Sequence, residues 1–242
     1  MFFLIDQMAR REQEQQWRQI RSQVGPAIPW TPDIKWQPVM HIQAASYQAQ
    51  VRNLFQELEP SPKQARVFAA SPSGKFGYLN QILPAGYSLW TAYGRRRGQV
   101  FFDGPIVIPS LFEARLGRRS EHRWPDDPWM SITPMEMFTL RAGTRLARGH
   151  DVSWKKNVKR ITLVEHSHEL VGWLGPRINA YVNQSVRLDV LVGDAYQVVP
   201  ELEADVALID IFPNFGKNVE TWRRNTGKCP GIKKVWIWGR GD

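Results

Sequence analysis

The sequence contains a single cysteine, Cys229, among its 242 residues. An internal disulfide is therefore excluded, and no cysteine cluster supports a zinc site. Because disulfides mark secreted domains, this composition favours the cytoplasm as the compartment of the protein. Cys229 lies in a loop rich in glycine and proline, beside no partner that the sequence identifies, so we expect no catalytic role for it.

The chain also lacks a long apolar run. Residues 1–5 are apolar, but Asp6 interrupts them, so the run is too short for a signal peptide or a membrane span. We therefore expect a soluble protein that has no membrane partner. Hydrophobic residues make up 43% of the chain and aromatic residues 12%, which is enough to build a core in one large domain or in a compact domain with an appendage.

Acidic residues are scarce relative to basic ones, since 23 Asp and Glu face 32 Lys and Arg and give a net charge of +9. This excess favours acidic partners such as nucleic acid or an anionic surface. Residues 95–97, all arginine, occupy a predicted turn and could contact phosphates. An exposed turn rich in arginine is more often a solvated surface than a binding site. For the positive net charge of the whole chain, a solvated basic surface is likewise slightly favoured over a nucleic-acid site.

Two common ligand-binding patterns are incomplete. Residues 71–77 superficially resemble a phosphate-binding loop, but they lack the glycine spacing and the Gly-Lys-Ser/Thr ending of a Walker motif. His166 and His168 flank Ser167 at the start of a predicted helix, where a spacing of two residues directs them to different faces. We therefore predict neither a phosphate loop nor a metal site.

Residues 1–60 are predicted to form N-terminal helices joined by a linker. A polar, glutamine-rich segment and a later apolar stripe predict the two helices, and prolines and tryptophans mark the linker between them. In chain order these segments are residues 7–24, 27–38 and 41–58.

Residues 61–128 are predicted to form a β-meander. Three short β runs are separated by turns, and Asp103-Gly104 is a strong signal for a two-residue hairpin. The runs are residues 87–93, 99–102 and 105–108.

The third region, residues 129–242, alternates strands with helices. Thr133, Pro134 and Glu136 predict a capped helix that extends to residue 148. Apolar runs then predict strands, and apolar residues that recur every four positions predict a helix. The predicted order is strand, helix, strand, helix and strand, followed by a further helix and a further strand. These are residues 160–165, 170–182, 186–192, 195–202, 205–212, 218–224 and 232–238. The order predicts parallel pairing, and therefore an open α/β sheet with helices on its faces.

Three of the predicted strands lead directly to an acid, and these acids are Glu165, Asp194 and Asp210. Parallel strands end at a common edge of the sheet, where ligands bind, so we expect a shared site there. Each acid also has a structural explanation. Asp194 could cap the next helix while Gln197 reaches back, and Glu165 could simply be solvated.

The sequences around these acids resemble class I S-adenosylmethionine-dependent methyltransferases, particularly the spermidine-synthase-like branch. The matching segments are ITLVE, VLVGDA, VALIDIFPNFG and WMSITPME, at residues 161–165, 190–195, 206–216 and 129–136. The resemblance implies a Rossmann-like, mostly parallel sheet that binds S-adenosylmethionine.

The resemblance also implies which residues hold this cofactor. Glu165, with His166 beside it, would hold the ribose hydroxyls, since one carboxylate can accept two donors. Asp194 and Ala195 would read the adenine through a carboxylate and a backbone group. Asp210 would lie nearest the transferred group.

Catalytic roles are implied after the strand predicted over 205–212. Methyl transfer depends mainly on alignment and needs no covalent nucleophile from the protein. Asp210 would orient or deprotonate the acceptor, and Asn214 would hydrogen-bond it.

The chain is truncated relative to this family. A first strand, a glycine-rich turn and a crossover helix should precede Arg160, yet only about ten residues separate Gly149 from Ile161, where roughly thirty are needed. The absent strand is the natural centre of the sheet, and the absent turn is where glycine lets the backbone approach the ligand. Either an N-terminal strand fills the gap or the flanking strands pair directly.

We therefore predict a methyltransferase-like protein whose methyl acceptor the sequence does not identify. Because the glycine loop is missing, the alternative is a non-catalytic basic binding module, derived from that fold, for nucleic acid or a protein partner. A further alternative is an aminopropyltransferase-like protein, which would use the same edge with an amine substrate and a decarboxylated cofactor.

Overall fold

A computed structural model describes most of the chain. The described residues are 15, 18–19, 21–31, 33–93, 96–116, 122–123, 130–146, 158–210 and 229–237. They form a mixed α/β structure with several small sheets, mostly antiparallel and in part parallel.

The strands are short, and most lie in the first two thirds of the chain. They are β1 Val39–Ile42, β2 Arg66–Ala70, β3 Phe76–Leu83, β4 Leu89–Tyr93, β5 Arg96–Phe102, β6 Ile106–Glu113, β7 Arg115–Leu116, β8 His122–Arg123, β9 Met130–Ser131, β10 Arg160–Glu165, β11 Arg187–Val192, β12 Ala207–Ile209 and β13 Val235–Ile237. The helices are α1 Ala44–Gln48, α2 Pro134–Leu146, α3 His168–Tyr181 and α4 Ala195–Val198, the last continued by a 3-10 turn, Val199–Glu201. Among the described helices, none is both long and apolar enough to cross a membrane.

The chain divides into two compact units, each assembled from separate segments. Unit 1 comprises Met1–Ala69, Tyr78–Leu111 and Met130–Phe138, and unit 2 comprises Ala70–Gly77, Phe112–Trp129 and Thr139–Asp242. This division differs from the three consecutive regions that composition suggests, because residues from the N-terminal region and from the predicted meander share unit 1.

Unit 1 is built around a three-stranded sheet with the order β1–β5–β4. β5 pairs in parallel with β1, where Val39 lies opposite Gln99, and antiparallel with β4. The inner face of this sheet presents Met40, Val100 and Phe102 to the main hydrophobic core. The described residues also form a sheet of order β2–β3–β6–β9 and the pair β7–β8.

Aromatic rings fill the core of unit 1. The Tyr47 ring lies 5.1 Å from Trp30 and 4.8 Å from Phe102, measured between ring centroids. The Tyr47 hydroxyl donates to the carbonyl of Ile132 at 2.9 Å. Burial, together with the charge of Glu136, raises the pKa of Tyr47 well above its usual value, so the phenol remains a donor.

The prediction of a hairpin at Asp103-Gly104 is wrong. These residues connect β5 to β6, but the two strands belong to different sheets. Asp103 has another function, because its Oδ1 accepts a hydrogen bond from the backbone N–H of Ala44 at 2.7 Å. A pattern typical of a tight turn therefore anchors the start of α1.

The long helix expected over residues 41–58 is also wrong, because only α1 forms. His41 lies in β1, where its backbone pairs with β5. Beyond α1, Oδ1 of Asn53 accepts from the N–H of Phe55 at 3.0 Å, a local contact that competes with helical hydrogen bonding. Phe55 is nevertheless buried, so the apolar pattern identified buried positions but not their backbone structure.

The cap predicted for α2 is confirmed. Oε2 of Glu136 accepts from the N–H of Thr133 at 3.3 Å, and Oγ1 of Thr133 accepts from the N–H of Glu136 at 3.4 Å. This reciprocal arrangement is a capping box and satisfies backbone donors at the start of the helix. Ser131 also donates to Glu136 through its hydroxyl.

Parallel pairing in unit 2 is confirmed within two strand pairs. β10 and β11 are in register from Arg160 opposite Arg187 to Glu165 opposite Val192. β12 and β13 also pair in parallel, in a separate two-stranded sheet.

The expectation of one mostly parallel sheet needs correction for the described residues. No ladder joins the two parallel pairs there, and neither an inserted N-terminal strand nor direct pairing of β10 with β12 is observed among them. The sequence offers a physical reason, since the roughly ten residues between Gly149 and Ile161 are too few for a strand followed by a crossover helix, which need roughly thirty.

Candidate functional site

Chain neighbours of the three acids share one apolar cluster in unit 2. Ile209 is buried in this cluster, and Val164 and Ala195 pack against it. Each of these residues is the chain neighbour of one acid, namely Asp210, Glu165 and Asp194 respectively, and neighbouring Cα atoms are about 3.8 Å apart. We call Glu165, Asp194 and Asp210 the acidic edge.

Glu165 closes β10 with one carboxylate oxygen engaged and the other available. Its Oε1 accepts from the N–H of Ser167 at 2.8 Å, and Ser167 in turn caps α3 by accepting from the N–H of Leu170. Oε2 makes no hydrogen bond with a described residue. The backbone carbonyl of Glu165 accepts from Gly193 at 3.0 Å, which places Asp194 next to the end of β10.

Asp194 caps α4, which is the structural role that the sequence suggested for it. Its Oδ1 accepts from the N–H of Tyr196 at 2.9 Å, and its carbonyl accepts from Gln197 and Val198. Within the described part of the chain, neither Oδ2 of Asp194 nor the N–H of Ala195 has a hydrogen-bond partner. An acceptor and a donor therefore remain side by side.

The other expected residues are placed only in part. Asp210 is exposed directly after β12, and His166 is exposed beside Glu165. Asn214 lies outside the described residues, as does the whole segment 211–216. Glu165, His166, Asp194 and Ala195 thus lie at the ends of the paired strands β10 and β11, and Asp210 follows β12, whereas the contacts of Asn214 stay a prediction.

Tyr196 is a member of this edge that sequence reasoning missed. Its side chain is 36% exposed, one position beyond the Asp194-Ala195 pair. Partial burial, and then the charge of Asp194, raise the pKa of its phenol, so the ring is neutral at physiological pH. An exposed aromatic ring offers a stacking surface for a planar base. Its position after the Asp-Ala pair was the available signal.

Sequence reasoning also missed a contact that holds the first turn of α3. The Glu169 carboxylate accepts from the Ser73 N–H at 2.9 Å and from the Ser73 hydroxyl at 2.7 Å and 2.6 Å. Residues 71–77, rejected as a phosphate loop, thus contribute a turn that binds a carboxylate. Because these partners are far apart in sequence, no local pattern could reveal the contact.

Hydrogen bonds from Ser71 and Ser73 hold the pKa of Glu169 below its usual value. A lowered folded-state pKa means that this contact stabilises the protein fully above about pH 4.5, the ordinary value, and that the contribution is lost as pH falls through the lowered pKa. Glu169→Gln should therefore reduce the free energy of unfolding most at neutral pH. Urea titrations between neutral and acidic pH measure this difference.

A double-mutant cycle supplies the control for this prediction. In a Ser73→Ala background the effect of Glu169→Gln should be smaller, since the main donor is already absent. A Glu169→Gln effect of the same size at neutral pH and well below pH 4.5 would contradict the assignment.

Cys229 is a buried residue of the same region. It is buried in the same cluster as Ile209, and this burial raises the pKa of its thiol. The group therefore stays protonated and packs as an apolar side chain. Among the described residues, no group of three or more His, Cys, Asp or Glu side chains could hold a metal ion.

Comparison with known proteins adds no relative to this description, because no family model, no curated protein and no solved structure matches the chain.

Proposed function

We propose that the acidic edge binds S-adenosylmethionine and that the C-terminal region is a methyltransferase-like domain with a Rossmann-like ancestry. The observation that carries the proposal is the shared apolar cluster, which places the chain neighbours of Glu165, Asp194 and Asp210 together. Two strand pairs that each run in parallel are the arrangement expected when the central strand of such a sheet is absent.

The unoccupied hydrogen-bonding groups of this edge fit the nucleoside half of the cofactor. Oε2 of Glu165 can accept from a ribose hydroxyl, while the bond from Ser167 to Oε1 fixes the carboxylate. Oδ2 of Asp194 can accept from the exocyclic amine of adenine, and the Ala195 N–H can donate to a ring nitrogen. Tyr196 supplies an aromatic surface next to them.

The cofactor, when bound, supplies a methyl group activated by its sulfonium for attack by an acceptor nucleophile. The protein contributes alignment and a place for the proton that a protic acceptor releases. Asp210, exposed directly after β12, would take that proton or orient the acceptor. Asn214 would hydrogen-bond the acceptor, a role that rests on the sequence resemblance.

Isothermal titration calorimetry with S-adenosylmethionine tests the proposal. We expect micromolar binding by the natural chain and a loss of about tenfold or more in Glu165→Ala, because hydrogen bonds to a charged group contribute about 1.5–3 kcal/mol. Adenosine alone should show the same relative loss, since Glu165 contacts the nucleoside.

Glu201→Ala is the matched control for this measurement. Glu201 is exposed in the 3-10 turn after α4, so its removal should leave the affinity unchanged. Millimolar or undetectable binding by the natural chain would reject the proposal and favour the binding-module alternative. Equal losses in the Glu165 and Glu201 variants would reject the role assigned to Glu165.

A further inference from the structure

One face of the β1–β5–β4 sheet in unit 1 is uncovered where β5 begins. Val39, Gln99 and Trp90 lie opposite one another in the three strands, so their side chains project from the same face. Trp90 is 67% exposed and Val39 44%. On the opposite face, Met40 and Val100 are buried in the core. The strands therefore hold an indole ring in solvent.

Positive charge lies beside the exposed indole. Arg97 is exposed two residues before Gln99 in β5, and therefore on the same face. It is a diagonal neighbour of Trp90, a relation that separates residues by about 7–8 Å. Arg97 forms no ion pair with a described residue, so its charge is uncompensated there.

We infer that this surface, which we call the basic sheet face, binds single-stranded nucleic acid. It comprises Val39, Trp90, Arg97 and Gln99. Trp90 provides a ring on which an unpaired base stacks, a contact that tolerates every base because each has a π-face. Arg97 provides charge for a backbone phosphate next to that base.

The chemistry of the face favours a single strand over other anionic partners. A duplex already stacks its bases on one another, whereas a flat sheet with an exposed aromatic ring takes bases that are splayed out. The amide of Gln99 can donate to and accept from base edges. A membrane surface would use a broader apolar area than one indole and one valine side chain beside an amide.

Fluorescence anisotropy with a labelled single-stranded oligonucleotide of about 12 nucleotides tests the inference on the full chain. Trp90→Ala should weaken binding about tenfold, and Trp90→Phe should restore most of the affinity because stacking is retained. Affinity should fall as salt rises from about 50 to 200 mM, and Arg97→Ala should reduce that salt slope by about one phosphate contact.

Two control variants make the result specific. Phe68→Ala removes another exposed aromatic ring of unit 1, on β2, and should leave oligonucleotide affinity unchanged. Glu165→Ala should also leave it unchanged, which separates this site from cofactor binding at the acidic edge. Circular dichroism of each variant confirms that it is folded.

Several results would overturn the inference. Trp90→Ala binding within twofold of the natural chain would remove the stacking site. Absence of oligonucleotide binding, with binding to phosphatidylserine vesicles instead, would assign the face to a lipid surface. Self-association through Trp90, measured by sedimentation in the absence of any oligonucleotide binding, would assign it to a second copy of the chain.

Discussion

Phe102→Ala is expected to lower the free energy of unfolding by about 3–5 kcal/mol, because it removes a large buried ring from a core that can only partly collapse. Phe102 is 1% exposed and lies in β5, the central strand of the unit 1 sheet. Its ring packs 4.8 Å from that of Tyr47, between centroids. Urea unfolding followed by circular dichroism measures the change.

Phe68→Ala is the matched control for Phe102→Ala. The same atoms are deleted, but Phe68 is 42% exposed, so we expect a loss of less than about 1 kcal/mol. Phe102→Leu should recover more than half of the stability lost in Phe102→Ala, since it fills much of the volume. Equal losses at Phe102 and Phe68 would show that the described core does not carry the stability of this unit.

Gly98→Ala should also destabilise the protein, by about 1–3 kcal/mol, because there is no room for a methyl group. A Cβ at this position would lie 2.6 Å from the carbonyl oxygen of Pro38 and 3.0 Å from Cζ2 of Trp36. The Pro38 carbonyl also accepts from the N–H of Gln99 at 2.8 Å. Relief of the clash would therefore push β1 away from β5 and weaken their pairing.

Gly104→Ala provides the comparison for Gly98→Ala. Its added Cβ would lie 3.3 Å from the side-chain Cβ of Ala44, a tight contact with a side chain rather than with backbone. Thermal unfolding should show a clearly larger loss for Gly98→Ala. If Gly104→Ala lost as much or more, the close approach at Gly98 would not control the pairing of β1 with β5.

Local patterns in the sequence predicted local structure well. The capping box of Thr133 and Glu136 placed the start of α2 at Pro134, and the structure begins it there. Apolar runs predicted β10 and β11 and their parallel pairing. In each case the determining contacts join residues a few positions apart or repeat regularly along an element, so they leave a readable pattern.

Patterns failed where distant residues decide the structure. Asp103-Gly104 has hairpin chemistry, yet the neighbouring strands find partners in different sheets and Asp103 binds Ala44. The contact between Ser73 and Glu169 joins two residues that no periodicity relates. At these positions tertiary packing overrides local propensity, and tertiary packing leaves no local pattern in a single sequence.

The same contrast between local patterns and distant contacts applies to the candidate site. Three acids at strand ends could be identified because strands and their termini are local features. The sequence did not reveal that Tyr196 is exposed beside Asp194, or that Glu165 keeps one carboxylate oxygen without a described partner. Those properties depend on packing around the shared apolar cluster.

The parallel pairing of β1 with β5 also constrains how unit 1 forms. Val39 meets Gln99 only after the chain closes a loop of about sixty residues, which costs entropy before any pairing is gained. The β4–β5 hairpin closes over a few residues and can form much earlier. High contact order of this kind slows folding, so in a nascent chain β1 stays without this partner until β5, about sixty residues further along the chain, has emerged from the ribosome.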